Sequence, residues 1–380
     1  MTNWRISLFE PEFTQSDIDA MSEPLRRGWV SMGEEVRAFE EAFQAQQGAR
    51  HALAVSSCTA ALHLALLALE VGPGDEVLLP SLTFVACANV VRQVGAQPVF
   101  VDLAHESDWT LSPHDLAKKI TPRSKAVMVM HYGGFACNME AIGAVARKHE
   151  LAIIEDCAHA LITRCECGVC GNIGDVGCFS FFTNKNMTTA EGGMLVTQRD
   201  DLAQRFKTLR SHGMTTLSLD RYQGRAVSYD VTEVGLNYRM DEMRGALGRS
   251  QLARLPHYLE RRAWLRDQYL RRLKHIDSLH VPFVGKEEGA GIHIMPVALP
   301  HKTSRQAFIA AMKEQGVQTS IHYPPIHQFS AYQNNGCAHC PMTEDMGARQ
   351  VTLPFFPAMQ EEQVALVCEA VENALTQATP

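Results

Sequence analysis

The architecture of this chain is most clearly indicated by the segment Phe179-Ser180-Phe181-Phe182-Thr183-Asn184-Lys185-Asn186-Met187-Thr188-Thr189-Ala190-Glu191-Gly192-Gly193. An apolar strand, predicted over 176–182, places Lys185 on a polar turn, and the glycine pair lets backbone pass close to that turn. A lysine in a partly dry pocket has a lowered pKa, which favours Schiff-base formation with an aldehyde cofactor. Ser180 can offer a hydroxyl to an anionic group. The alternative for Lys185 is an ordinary surface lysine after a buried strand.

Four further segments resemble, together with the lysine segment, the signatures of the DegT/DnrJ/EryC1/StrS aminotransferases. This family depends on pyridoxal 5′-phosphate (PLP) and aminates keto-sugars attached to nucleotides. The segments are Arg27-Gly28-Trp29-Val30-Ser31-Met32-Gly33, Gly72-Pro73-Gly74-Asp75-Glu76-Val77, Glu155-Asp156-Cys157-Ala158-His159-Ala160 and Leu353-Pro354-Phe355-Phe356-Pro357. They follow the family's order over nearly the whole chain. The resemblance implies the fold of type I PLP-dependent transferases and a homodimer with shared active sites.

Length and composition are those of a globular protein. The 380 residues, 46% apolar and 20% charged, fit a large domain plus a smaller one. We place a cofactor-binding domain with N-terminal helices at 1–250 and an α+β domain at 251–380. The net charge of −7 argues against nucleic acid as a partner. Neither a signal peptide nor a membrane-spanning run is visible, so we expect a cytoplasmic protein that does not bind a membrane.

The order of the predicted elements favours an α/β fold. Continuous apolar runs at 97–102, 126–130 and 152–156 alternate with helical patterns such as 139–149. Such runs are typical of a mostly parallel sheet that is sandwiched by helices and joined by right-handed crossovers. A long helix over 242–275 leads to the second domain, where we predict strands at 291–298 and 317–320 and helices at 304–315 and 361–375.

A phosphate site is predicted where a strand over 51–57 enters a helix over 59–69. The first amides of a helix point outward, and the helix dipole favours negative charge there. We assign the cofactor phosphate to the Cys58 and Thr59 amides and to the Thr59 hydroxyl. The alternative is simple helix capping by Ser57.

Asp156 ends its strand, where a carboxylate can pair with a protonated pyridine nitrogen and keep the ring an electron sink. His159 lies three residues later, and we expect it near the ring hydroxyl or over the ring face.

The resemblance implies that Phe84 stacks on the pyridine ring. It also implies that Asn237 reaches across a dimer interface to the neighbour's phosphate and that His327 contacts the sugar. Each of the last three residues also has a plain structural alternative in packing or helix capping.

Five of the eleven cysteines form two close-spaced groups, Cys165, Cys167 and Cys170 in one and Cys337 and Cys340 in the other. Close cysteine spacing around glycine is typical of thiolate metal sites. We predict that both groups close over one Zn²⁺ ion or iron–sulfur cluster at the mouth of the active site. Free thiols or a redox disulfide are the equally weighted alternative.

The function predicted from the sequence is amino transfer from an amino acid, expected to be L-glutamate, to a keto-sugar that is expected to be nucleotide-linked. Lys185 would anchor the cofactor and move protons, assisted by Asp156. Three alternatives stay open. They are a sugar dehydrase helped by an iron–sulfur cluster, an aminotransferase for a non-nucleotide cyclic ketone, and a non-enzymatic regulator on the same fold.

Overall fold

The computed structural model describes residues 4–216, 218–333 and 339–378, so Cys337 lies outside the described residues. The helices within these ranges are α1 Gln15–Arg27, α2 Glu34–Gln47, α3 Cys58–Ala68, α4 Ala86–Gln93, α5 Pro113–Lys119, α6 Met139–Lys148, α7 Asp200–Leu209, α8 Ser218–Tyr222, α9 Glu242–Leu273, α10 Arg305–Glu314, α11 Pro341–Arg349 and α12 Glu361–Ala378. The strands are β1 His51–Val55, β2 Glu76–Pro80, β3 Gln97–Val101, β4 Leu103–His105, β5 Asp108–Leu111, β6 Ser124–Met130, β7 Ala152–Asp156, β8 Arg164–Cys165, β9 Gly168–Val169, β10 Val176–Ser180, β11 Gly193–Thr197, β12 Met295–Ala298 and β13 Gln350–Leu353.

The central sheet has seven strands in the order β1-β11-β10-β7-β6-β2-β3. The pairs from β10 to β3 are parallel, and β11 runs antiparallel to both β1 and β10. In this register Asp156 of β7 lies beside Met130 of β6 and Cys178 of β10. The mostly parallel sheet predicted from the apolar runs is confirmed.

Both faces of the sheet are covered, which explains why its strands are continuous apolar runs. Successive strand side chains point to opposite faces, and in β6 Met128 packs in one buried cluster while Val127 and Val129 pack in another. The first cluster joins the sheet to α3, α4 and α7, and the second joins it to α5 and α6. On β7 the same alternation directs Glu155 and Asp156 to opposite sides.

The N-terminal helices begin where the sequence predicts. Thr14 and Asp17 form a capping box at the start of α1, which satisfies amides that the first turn leaves unpaired. Gly33 precedes α2, and the buried Glu242 carboxylate accepts hydrogen bonds from the amides of Gly33, Glu35 and Val36. Since Glu242 starts α9, this contact fixes the long helix against α2.

Several boundaries in the C-terminal part differ from prediction. The expected strand over 317–320 forms only isolated bridges, including one between Ser320 and Thr352. Strand β12 pairs instead with β13, which the sequence pattern did not indicate. Helix α9 runs without a break across position 250, where we predicted the boundary between two domains. The division at 250 therefore stays a prediction.

Glu155 is expected to stabilise the loop that follows β7. Its buried carboxylate accepts hydrogen bonds from the amides of Gly171, Ile173 and Gly174 at 2.6–2.9 Å and lies 3.0 Å from His131 Nε2. In Glu155→Gln an amide NH₂ group would face donors, so we expect the free energy of unfolding to fall by about 1–3 kcal/mol. Urea unfolding measures this change. The exposed Glu140→Gln is the matched control, and an equal effect of both variants would contradict the assignment.

Candidate active site

A cavity of about 380 Å³ opens at the carboxyl ends of β1, β7 and β10. This is where open α/β sheets bind ligands, and the volume is in the range of small-molecule sites. The residues lining it are Ser57, Cys58, Thr59, Leu62, Phe84, Ala86, Met130, Asp156, Ala158, Ser180, Phe182, Asn184, Lys185, Glu191, Gly192, His322 and Tyr323. Six residues that the sequence assigned to the cofactor are among them, namely Cys58, Thr59, Phe84, Asp156, Ser180 and Lys185.

Lys185 lies on the turn after β10, where its amide donates a hydrogen bond to the carbonyl of Phe182 at 2.9 Å. Burial of the side-chain amine lowers the pKa of Lys185 from its ordinary value to about 8, although nearby Asp156 and Cys58 act in the opposite direction. A neutral amine is the nucleophile that condenses with an aldehyde. The location on the turn and the lowered pKa agree with the role predicted for this lysine.

The lowered pKa of Lys185 gives a pH-dependent prediction that needs no ligand. With a pKa of about 8, half of the Lys185 amines are neutral at pH 8, whereas only about one in 250 ordinary lysines is neutral there. We expect competitive acetylation of the apoprotein, followed by peptide mapping, to show a reactivity midpoint near pH 8 for this position. Exposed lysines in the same digest provide the internal control. A midpoint near that of ordinary lysines would contradict burial of the amine.

Asp156 is buried, with 3% of its surface exposed, and its carboxylate has specific partners. Oδ1 accepts a hydrogen bond from the amide of Ala158 at 2.9 Å, and the thiol of Cys87 donates to Oδ2 at 3.1 Å. These bonds hold the carboxylate at the end of β7, and a buried carboxylate is stable only when hydrogen-bonded in this way. It can accept a further hydrogen bond from a cationic ring nitrogen in the cavity. Cys87 was not among the residues that the sequence predicted for the site.

The start of α3 forms an anion site. The Ser57 side chain accepts a hydrogen bond from the amide of Ala60 at 3.1 Å, so the capping role is real. The amides of Cys58 and Thr59 belong to the first turn and have no intrahelical acceptors. Gly193 makes the approach of β11 possible, because a Cβ there would lie 2.5 Å from the carbonyl carbon of Ser57 and 2.6 Å from the nitrogen of Cys58. Capping and phosphate binding are therefore compatible.

The remaining features of the cavity also suit PLP. The ring of Phe84 is 52% exposed, which leaves an apolar face open beside the cavity, and Ala158 also lines it. A half-buried lysine amine, a buried carboxylate, a free helix start and an exposed ring are four contacts that suit an aromatic aldehyde phosphate. Bound PLP supplies the electron sink that stabilises a carbanion at a substrate carbon. Asp156 would hold the ring nitrogen, the α3 start would hold the phosphate, and the Lys185 amine would move the proton.

Three residues predicted for the site do not line the cavity. His159 is buried behind it, with Nδ1 3.2 Å from the amide nitrogen of Gly133 and Nε2 3.0 Å from the Tyr323 hydroxyl. Asn237 is exposed and forms a β-bridge with Ser211. His327 also lies outside the cavity.

The side chain of His327 is held by other contacts, and its contact with the sugar stays a prediction. Its Nδ1 lies 2.6 Å from Ser81 Oγ and its Nε2 lies 3.2 Å from Glu344 Oε1, away from the residues that surround Lys185. The residues of the same segment that reach the cavity are His322 and Tyr323, five and four positions earlier. No periodicity in this irregular loop indicates which of its side chains point inward.

The prediction that both cysteine groups share one ion requires a correction. Cys340 is buried against β3, where its thiol donates to the carbonyl of Phe100 at 3.7 Å. Burial raises the pKa of Cys340 to about 12, whereas a metal ligand must be a thiolate. The Cys165–Cys170 hairpin lies beside β7, and two strands separate β7 from β3, a distance of about 14 Å. Cys340 therefore does not share an ion with the first cysteine group.

Among the described residues, the ligand-type atoms of His131, Glu155 and Cys157 lie within 4.8 Å of one another. The first two are already engaged. His131 Nδ1 accepts a hydrogen bond from the Cys137 amide, and its Nε2 faces the Glu155 carboxylate, which also binds three amides. This group is explained as a structural hydrogen-bond network. The predicted Zn²⁺ ion or iron–sulfur cluster thus finds no support in this part of the structure.

Comparisons with known proteins agree with this site. The model of the DegT/DnrJ/EryC1/StrS aminotransferase family matches residues 11–372. The spore coat polysaccharide biosynthesis protein SpsC of Bacillus subtilis is 38% identical over 371 residues, which cover 96% of this chain and 95% of that protein. GDP-perosamine synthase of Escherichia coli O157:H7 is 33% identical over 372 residues, which cover 97% of this chain and 98% of the synthase. The PLP form of Spr1654 from Streptococcus pneumoniae, described as a sugar aminotransferase, superposes with a TM-score of 0.91 at 26% identity, covering 100% of both chains.

The fold and the site define a PLP-dependent aminotransferase of sugar biosynthesis. The chain belongs to the DegT/DnrJ/EryC1/StrS aminotransferase family. The resemblance, the type I fold, the enzyme class and the use of PLP that were inferred from the sequence are confirmed. Among the described residues, no helix combines the length and the apolar composition needed to cross a membrane.

Proposed function

We propose that this enzyme transfers the amino group of L-glutamate to a nucleotide-linked keto-sugar. The observation that best supports this proposal is that Lys185, whose pKa is lowered, and the buried carboxylate of Asp156 line the same cavity. The similarity to a synthase named for a GDP-linked product supports the nucleotide part of the proposal. The same Lys185 amine serves both halves of the reaction, because it gives and takes the proton at the substrate carbon that carries nitrogen.

The substrates are tested by incubating the PLP-loaded protein with L-glutamate and a panel of keto-sugars. The panel contains nucleotide-linked sugars, the same sugars without the nucleotide and a cyclitol ketone. Mass spectrometry should show an amine only in a nucleotide-linked member, together with 2-oxoglutarate. An amine on the free cyclic ketone would favour the non-nucleotide alternative. Loss of water without nitrogen transfer would favour the dehydrase.

The dehydrase alternative is also tested by its cofactor. It requires an iron–sulfur cluster, for which Cys165, Cys167 and Cys170 are the remaining candidates within the described residues. The hydrogen bond from Cys170 lowers the pKa of Cys165 to about 6, although burial acts in the opposite direction. Burial therefore does not keep the Cys165 thiol protonated. Metal analysis of anaerobically purified protein decides the matter. Less than a few tenths of an equivalent of iron plus zinc would remove both the cluster and a Zn²⁺ site.

We also propose a homodimer in which Asn237 binds the phosphate held by its neighbour. The segment before Asn237 exposes large apolar side chains that a free monomer would leave in water, namely Tyr222, Val227, Tyr229, Val231 and Val234. Several large apolar side chains exposed within one short segment are compatible with a protein contact. The exposed position of Asn237 in its own subunit agrees with a role in the partner's site.

Mixing two inactive variants tests the shared site. Asn237→Ala and Lys185→Ala are each expected to be inactive, whereas subunits mixed by mild unfolding and refolding should regain activity. A mixed dimer contains one site with both native residues, so equal mixing should restore about a quarter of the wild-type activity. Light scattering measures the mass of the assembly in parallel. A monomer, or a mixture without activity, would contradict the shared site.

A further inference from the structure

We propose that Cys165 and Cys170 form a thiol–disulfide exchange site, at which Cys165 attacks a small disulfide such as oxidised glutathione and Cys170 then closes an internal disulfide. Amino transfer leaves both thiols unused. A redox disulfide was one of the alternatives left open for the cysteines, and the shape of the hairpin selects this pair. The site requires neither the amino donor nor the keto-sugar proposed above.

The hairpin places the side chains of Cys165 and Cys170 on one face. Cys165 of β8 pairs with Gly168 of β9, and the amide of Cys170 extends this pairing by donating to the carbonyl of Thr163 at 2.9 Å. Residues two positions apart along a strand point to the same face. Cys170 therefore lies on the face of Gly168 and of its partner Cys165, as a diagonal neighbour of Cys165.

No side chain separates the two thiols. Gly168, directly opposite Cys165, has no Cβ, and the space that a Cβ would take is open. The Cys170 thiol donates a hydrogen bond to the Cys165 sulfur, which also accepts from the amides of Cys167 and Gly168. A disulfide then requires only that two sulfurs in hydrogen-bond contact approach to bonding distance.

The two thiols differ in accessibility and in charge. Cys165 is partly exposed, whereas Cys170 is fully buried. The hydrogen bond from Cys170 lowers the pKa of Cys165 to about 6, although burial opposes this shift. The thiolate is the form that attacks a disulfide. A small disulfide can therefore reach and react with Cys165 first, and Cys170 can react only afterwards and from within the protein.

Cys167 is the competing thiol, because its side chain is exposed at the turn between β8 and β9. Burial and the neighbouring Cys165 thiolate raise the pKa of Cys167, so this thiol stays protonated. A protonated thiol is a poor nucleophile. Exposure alone would favour Cys167 as the first thiol to react, whereas the hydrogen bonds to sulfur favour Cys165.

The reaction proceeds in two steps. First, the Cys165 thiolate attacks one sulfur of the small disulfide, so that the S–S bond breaks, a mixed disulfide forms and one small thiolate leaves. Second, Cys170 passes its proton to this thiolate and attacks the Cys165 sulfur, which forms the internal disulfide and releases the other small thiolate. The two cysteines are oxidised by two electrons, and the small disulfide is reduced to two thiol equivalents.

The first step prepares the second. The hydrogen bond to Cys165, and after it burial, raises the pKa of Cys170. Once the Cys165 sulfur belongs to a mixed disulfide, it no longer carries the charge that holds this proton. The hairpin itself stays in place, because the amide of Arg164 donates to the carbonyl of Gly289 at 2.8 Å. Two sulfurs held in one fixed hairpin react as an intramolecular pair, which favours the second step.

The test is a time course of peptide mapping. PLP-loaded protein that has been reduced and freed of reductant is incubated with oxidised glutathione, quenched with acid and mapped by mass spectrometry. The peptide that contains both thiols should first gain one glutathione on Cys165. It should later lose this glutathione together with two hydrogens of the reduced peptide, as the bond between Cys165 and Cys170 forms. This order is measured on the wild-type chain and needs no substitution.

Three variants assign the roles of the thiols. Cys170→Ser should stop at the mixed disulfide on Cys165, and Cys165→Ser should leave Cys170 reduced. Cys167→Ser is the matched control and should form the internal disulfide as the wild type does. Circular dichroism checks that each variant is folded.

Two kinds of result would overturn the proposal. Glutathione found first on Cys167, or a bond from Cys165 to Cys167, would contradict the assigned pair. A Cys165 thiol that stays reduced would remove the exchange site altogether, and metal analysis of the same sample shows whether a bound ion covers it. Neither result depends on which ketone is aminated.

Discussion

Replacement of Lys185 by alanine should lower kcat for amino transfer by about 10³-fold or more. We have proposed that the amine at this position both anchors the cofactor and moves the proton, and loss of a positioned general acid–base alone costs roughly 10²–10⁴-fold. Lys185 is suited to this task because burial lowers the pKa of its amine to about 8, near the pH at which the proton must pass in both directions. Steady-state kinetics of the purified variant measure the change.

The matched variant is Lys185→Arg, which keeps a positive charge but cannot form an imine. It should be as inactive as Lys185→Ala, whereas circular dichroism should show both variants folded. Borohydride reduction of PLP-loaded wild-type protein, followed by peptide mapping, should find the cofactor on the peptide that contains position 185. A cofactor found on another lysine would contradict the assignment of Lys185 as the catalytic lysine, even if the fold were correct.

Replacement of Asp156 by asparagine should lower kcat by about 10²–10³-fold, the usual effect of removing one preorganised electrostatic partner. The two side chains have nearly the same shape, and the asparagine oxygen can still accept from the amide of Ala158. What is lost is the negative charge that keeps the ring nitrogen protonated. Rates of the half-reaction with L-glutamate, followed by absorbance, separate this effect from sugar binding.

The control for Asp156→Asn is Asp200→Asn, an exposed aspartate that pairs with Arg50 and His51 at the surface. It should leave the rate unchanged, since exposed ion pairs contribute little. Addition of excess PLP to Asp156→Asn distinguishes weak cofactor binding from slow chemistry. Full recovery of kcat at high PLP would mean that Asp156 only helps to hold the cofactor.

The strands and the residues at their ends were predictable from the sequence, because their signals are local. Asp156 and Lys185 follow apolar runs, and α3 starts after a strand with small polar residues, so each position is fixed by its immediate neighbours. The role of Cys87 could not be found in this way. The Cys87 thiol, at the start of α4, can bind Asp156 only because the strand before α4, β2, lies two positions from β7 in the sheet.

What the sequence did not indicate concerns irregular segments and contacts between distant parts of the chain. Spacing gives no direction for side chains in a loop without repeating geometry, so it did not indicate that Tyr323 lines the cavity. Cys340 was grouped with Cys165 because both were expected at the mouth of the active site, and the spacing within each cysteine group does not report how far apart the two groups lie. The strand at 350–353 was missed because it pairs with residues more than fifty positions earlier, a pairing that local patterns cannot indicate.

Glu155 and Asp156 are consecutive, yet they serve opposite sides of one strand. Glu155 accepts hydrogen bonds from three amides of the loop that follows the cysteine hairpin, and Asp156 lines the active-site cavity. Evolution or an engineer could accordingly exchange or decorate the exposed tip of the hairpin at 166–168, while Cys170 stays buried and the loop remains tied at 171–174. A tag or a reporter inserted at this tip would sit close to Asp156 in sequence and is expected to leave the geometry around Asp156 unchanged.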